Sequence, residues 1–100
     1  MSEIKAAKLT ASQIELELKN LPDWKLNPNG EIEKIFVFSG FPQSLMFVTS
    51  VGYLAESKNH HPDMVIQWNK VKLALTTHDS GGLTQKDFEL AKMVNGLPQL

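Results

Sequence analysis

The sequence contains no cysteine, which excludes disulfide bridges, thiolate nucleophiles and thiolate metal sites. It also lacks an excess of either charge, because 10 Lys and Arg residues face 11 Asp and Glu residues, for a formal net charge of -1. This balance removes the global electrostatic attraction that favours binding to nucleic acid or to an anionic membrane. We therefore expect neither of these partners.

Long apolar runs are also missing, and none approaches the roughly 20 residues that a membrane-spanning helix needs. The first eight residues, MSEIKAAK, lack the apolar segment of a secretory signal. A length of 100 residues with 42% hydrophobic residues is typical of one globular domain. The expectation is a single domain over residues 1–100 in the cytoplasm.

Helix signals occur in three places, and two of them are capping boxes. Thr10 with Gln13 predicts a first helix ending near Asn20, and Thr84 with Asp87 predicts a last helix ending near Asn95. Both boxes are completed by a side chain three residues after the cap. A cap-only interpretation of Asp87 implies that Asp87→Asn costs about 1 kcal/mol or less.

The middle helix is predicted from Pro42, which suits a first helical turn, to about Lys58. Its apolar residues occupy more than one face, whereas a single sheet covers only one. The excess favours a helix-mediated oligomer.

Four strand-like segments complete the pattern, at 24–26, 32–38, 64–68 and 71–77. A two-residue turn at Asn69-Lys70 would pair Trp68 with Val71, Ile66 with Leu73 and Met64 with Leu75. Trp68 is then most simply a core residue. The order α-β-β-α-β-β-α with short hairpins predicts an α+β fold, a four-stranded antiparallel sheet with three helices packed on one face.

All three histidines lie between Glu56 and Asp87, at His60, His61 and His78. Imidazole can exchange protons near neutral pH, so the cluster is a candidate for acid–base chemistry. Three other interpretations stay open: a polar helix exit before Pro62, a solvated histidine at a strand end, and a zinc site. The spacing matches no known metal-ligand pattern, so we expect no metal.

The spacing from Glu56 through His60-His61-Pro62, Trp68 and His78 to Asp87 resembles the sequence pattern of the pterin-4a-carbinolamine dehydratase family. The resemblance implies a lyase that dehydrates 4a-hydroxytetrahydropterin to quinonoid dihydropterin during tetrahydrobiopterin recycling. It implies a small-molecule pterin substrate, no cofactor, and a homodimer or homotetramer. A non-catalytic oligomeric binding or coactivator module on the same scaffold, or a pterin reaction in molybdenum-cofactor metabolism, remains an alternative.

The resemblance also implies roles for single residues. The three histidines would be catalytic, with His61 as the main pterin contact and the other two sharing proton transfer. Further residues would bind substrate or line the pocket: Glu56, Asn59, Thr76, Thr77, Asp79 and Asp87.

Overall fold

A computed structural model describes residues 6–99. Of the predicted span 1–100, residues 1–5 and residue 100 therefore lie outside the described part. The elements in chain order are α1 (Ala11–Lys19), β1 (Lys25–Leu26), β2 (Ile32–Val37), α2 (Phe41–Ser57), β3 (Asp63–Gln67), β4 (Lys70–Leu75), a 3-10 turn (His78–Ser80) and α3 (Gln85–Asn95). The predicted order of helices and strands is confirmed.

The four strands form one antiparallel sheet in the order β1-β2-β4-β3. Strand β2 is therefore interior, with β1 on one side and β4 on the other. Strand β3 pairs with β4 along one side only among residues 6–99, so it is an edge strand. The longest pairing joins β2 to β4 across six residue pairs, from Ile32 opposite Leu75 to Val37 opposite Lys70.

The helices cover one face of the sheet. Ile32 and Phe36 of β2 are buried on that face, whereas Ile35 and Val37, which point the other way, are both more than half exposed. This alternation follows from the pleat, which sends successive side chains to opposite faces. The predicted packing on one face is confirmed.

The predicted β3–β4 pairing is wrong by two residues. Ile66 pairs with Val71 and Met64 with Leu73, and the turn is Trp68-Asn69. The cause lies at Asn69, whose backbone oxygen accepts from the Phe38 N–H at 2.7 Å and whose amide donates to the Phe38 oxygen at 3.2 Å. These bonds fix the turn one residue earlier than predicted.

Trp68 was interpreted as a core residue, and this is also wrong. It lies in the turn with a φ of 50° and is 69% exposed.

Both predicted capping boxes are confirmed, Thr10 with Gln13 on α1 and Thr84 with Asp87 on α3. Helix α2 buries Phe47, Val51 and Ala55 against the core. Its outward side carries an exposed set of large apolar residues, here called the α2 apolar face, formed by Phe41, Leu45, Met46 and Tyr53. None of the helices in residues 6–99 is long and apolar enough to cross a membrane.

Candidate active site

The chain turns sharply at the end of α2, and His60 and His61 lie immediately after this turn. Asn59 adopts the left-handed conformation, with a φ of 48°. Its backbone N–H donates to the backbone carbonyl oxygen of Glu56 at 3.1 Å, and the backbone N–H of His60 donates to the backbone carbonyl oxygen of Ala55 at 3.1 Å. This pair of bonds is a Schellman motif, in which asparagine tolerates the left-handed position. The helix end therefore fixes where the histidine pair begins.

The end of β4 forms a small closed loop that holds His78. Thr77 and Gly82 exchange backbone hydrogen bonds of 3.2 and 3.3 Å, closing the segment between them. His78 begins the 3-10 turn inside this loop, and Gly81 ends it with a φ of 76°. A positive φ costs glycine little, because it has no Cβ.

These two segments face each other across a cavity of about 280 Å³. The cavity is lined by Asn59, His60, His61, Thr76, Thr77, His78, Asp79 and Lys86. All three histidines thus reach one cavity, together with four of the six flanking residues singled out from the sequence. The other two, Glu56 and Asp87, do not line it and instead contact histidines.

Lys86 lines the cavity and was missed by the sequence analysis. It lies in the first turn of α3, where the helix dipole disfavours a positive charge. That unfavourable placement is the signal by which it could have been found.

His60 is backed by a buried carboxylate. Its Nε2 lies 2.5 Å from Oδ1 of Asp87, and the two side chains are 10% and 0% exposed. The other oxygen, Oδ2, accepts from the Thr77 hydroxyl at 2.8 Å and from the Thr84 N–H at 2.9 Å. Asp87 therefore completes the capping box and also holds a histidine, which is more than the cap-only interpretation allowed.

His61 has a different environment. Its Nε2 lies 2.8 Å from Oε1 of Glu56, and both side chains are largely exposed. An exposed pair of this kind contributes little to stability, because water screens it. The contact places Glu56, a residue of the family pattern, against a histidine.

His78 and Thr76 also line a larger cavity of about 610 Å³ on the side of Lys8 and Glu31. His78 thus stands between two cavities. Across the described range 6–99, no three His, Asp or Glu side chains are grouped so that they could hold a metal ion. Trp68, the aromatic residue of the sequence pattern, is not among the residues lining the smaller cavity.

Residues 7–97 match the family model described as pterin 4 alpha carbinolamine dehydratase. A protein from Chloroflexus aggregans is 48% identical over 89 residues, which cover 89% of this chain and 95% of that protein. One from Sulfurisphaera tokodaii is 47% identical over 90 residues, covering 90% and 96%. Both carry the name "Putative pterin-4-alpha-carbinolamine dehydratase".

Two solved structures are similar to this fold. A transcriptional coactivator/pterin dehydratase from Brucella melitensis gives a TM-score of 0.84 at 29% identity, covering 89% of this chain and 96% of that one. A pterin dehydratase-like protein, identified as a RuBisCO assembly factor in the alpha-carboxysome, gives 0.63 at 20% identity, covering 74% and 87%. The second likeness concerns the fold alone.

Proposed function

This chain belongs to the pterin 4 alpha carbinolamine dehydratase family, and we propose that it is a lyase that dehydrates 4a-hydroxytetrahydropterin to quinonoid dihydropterin. The observation that carries the proposal is the convergence of His60, His61 and His78 on one cavity. A scaffold without turnover has no need for three imidazoles at one place.

The reaction asks for one acid and one base. The C4a–O bond breaks, and the hydroxyl leaves as water after an acid supplies a proton. A base removes the proton from the neighbouring N5, whose electron pair forms the new C=N bond. The net change is loss of one water, with no transfer of electrons to or from the protein. Imidazoles suit both tasks, because general acid–base catalysis works best with groups that titrate near the working pH.

The surroundings of His60 and His61 support a division of roles. We assign proton transfer to His60 and His78, of which His60 has a buried carboxylate at 2.5 Å to orient its ring. We assign pterin contact chiefly to His61, whose ring is exposed and held by Glu56 at 2.8 Å. Asn59, Thr76 and Asp79 would complete the pocket wall.

We place the reaction in tetrahydrobiopterin recycling, in the cytoplasm, with the chain acting as one domain over residues 1–100. A homodimer or homotetramer is supported by the α2 apolar face, since large exposed apolar residues gathered on one side of a helix are typical of interaction surfaces.

Two alternatives make different predictions. A non-catalytic binding or coactivator module would bind a pterin, or a protein partner, without turnover. An enzyme of molybdenum-cofactor metabolism would use the same histidines on another pterin. The histidine cluster favours turnover, and the pterin itself decides between the two enzymatic versions.

The test is dehydration of freshly generated 4a-hydroxytetrahydropterin, followed by absorbance against the spontaneous reaction. We expect acceleration by the wild type and a loss of about 100-fold or more in His61→Ala, because a substrate misplaced by about 1 Å loses rate on that order. The fold should survive, because the His61 side chain is 58% exposed. Absence of acceleration by the folded wild type would overturn the proposal.

A further inference from the structure

The hydrogen bonds behind His60 have a direction that can be traced from their donors. A backbone N–H can only donate, so the N–H of Lys86 donates to Oγ1 of Thr84 at 3.2 Å. The hydroxyl proton of Thr84 then needs another acceptor, because this residue is 0% exposed. Oγ1 of Thr77 lies 2.8 Å away and meets that need.

The next steps follow in the same sense. Thr77 accepts from Thr84 and so has its own proton free, and Oδ2 of Asp87 lies 2.8 Å from its hydroxyl. Oδ2 accepts a second bond from the N–H of Thr84 at 2.9 Å. With Oδ2 occupied by two donors, Oδ1 remains to accept from Nε2 of His60 at 2.5 Å.

The reverse direction is unfavourable. If Thr77 donated to Thr84, the hydroxyl proton of Thr84 would have no partner in a fully buried position. Buried donors without an acceptor are rare, because they lose their bond to water and gain nothing.

We propose that the capping network of α3 fixes the tautomer of His60, with Thr77 and Thr84 as positioning residues. The two donors on Oδ2 orient the Asp87 carboxylate so that Oδ1, which can only accept, faces Nε2 of His60. The ring proton is therefore on Nε2, which leaves Nδ1 as the nitrogen that accepts or returns a proton during dehydration. Thr84 does not line the histidine cavity, and Thr77, which does line it, reaches Asp87 through its hydroxyl, so both act on His60 through Asp87. The catalytic part of this inference rests on the proposed function, while the tautomer stands independently of it.

The chain offers a matched control for the loss of a cap hydroxyl. Thr10 caps α1 with the same kind of box as Thr84 on α3, and its hydroxyl accepts from the N–H of Gln13 at 3.2 Å. Thr10 is not among the residues that line the histidine cavity. A Thr10→Val variant therefore loses a cap hydroxyl without touching the network behind His60.

The experiment is NMR of ¹⁵N-histidine-labelled protein, which reports the tautomer of each ring and needs no substrate. Only three histidines have to be assigned. We expect a single Nε2–H form for His60 in the wild type and in Thr77→Ser, which keeps the hydroxyl. Thr77→Val and Thr84→Val should give a mixture of tautomers, and Thr10→Val should match the wild type.

Kinetics supply the second readout. Thr77→Val should lower kcat about tenfold with KM changed by less than about threefold, because it disturbs a group used in the chemical step, and Thr77→Ser should restore kcat. An unchanged His60 ring signature in folded Thr77→Val would overturn the inference, and so would an Nδ1–H form in the wild type. Neither of these outcomes depends on whether the wild type dehydrates pterins, so failure of the proposed function remains distinguishable.

Discussion

Asp87 both stabilises the start of α3 and contacts a candidate catalytic residue, His60. Its carboxylate is fully buried and has three partners: His60, the Thr77 hydroxyl and the Thr84 N–H. In Asp87→Asn an NH₂ group replaces one of the two carboxylate oxygens. The donor that was bound to that oxygen then faces another donor and loses its hydrogen bond. Leaving a buried polar group unpaired costs about 1–3 kcal/mol, which exceeds the cost expected from the cap alone.

The measurement is urea unfolding followed by circular dichroism. Gln13→Ala is the matched control, because Gln13 occupies the same capping-box position on α1 but is exposed. We expect Asp87→Asn to be clearly more destabilising than Gln13→Ala. Equal effects would mean that Asp87 serves its helix only.

The sequence predicted one half of what Asp87 does. A capping box is a local pattern, so Thr84 and Asp87 can be paired from their spacing alone. The contact with His60 joins residues 27 positions apart, and it depends on how α2 and α3 pack. No local pattern contains that information, and only the family resemblance placed the two residues in one motif.

At the level of elements, the exit from α2 depends on a single left-handed residue. Asn59 has a φ of 48°, which costs an ordinary side chain roughly 1 kcal/mol and glycine almost nothing. We expect Asn59→Gly to keep the free energy of unfolding within about 0.5 kcal/mol of the wild type, and Asn59→Ala to lower it by about 1 kcal/mol. Chemical denaturation of the two variants measures the difference. Equal stability of Gly and Ala variants would show that the helix end does not depend on this conformation.

The β3–β4 hairpin shows where element-level prediction stops. The presence of the two strands was predicted correctly, and displacing the turn by one residue moves the pairing by two, so Met64 and Ile66 still share one face. The turn itself was misplaced, because Trp68 is an unusual residue for a positive φ. What selects this turn is the pair of bonds between Asn69 and Phe38, a contact across 31 residues.

For the whole molecule, the α2 apolar face makes the sharpest prediction. Tyr53 on this face is 78% exposed. If the face joins copies of the chain, Tyr53→Glu should bury an unpaired charge and dissociate the oligomer. Leu16→Glu on α1, where Leu16 is 60% exposed, is the matched control and should leave the assembly intact. Sedimentation velocity distinguishes the outcomes, and a wild type that sediments as a monomer would contradict the prediction.

The contact between His60 and Asp87 joins two parts of the chain that are synthesised at different times. A ribosome makes His60 and His61 well before it makes Thr84 and Asp87. Until α3 docks, His60 has no buried carboxylate behind it, although β2 and β4 can already pair. The candidate site would therefore be complete only after α3, which carries Asp87, has been synthesised and has packed against the sheet.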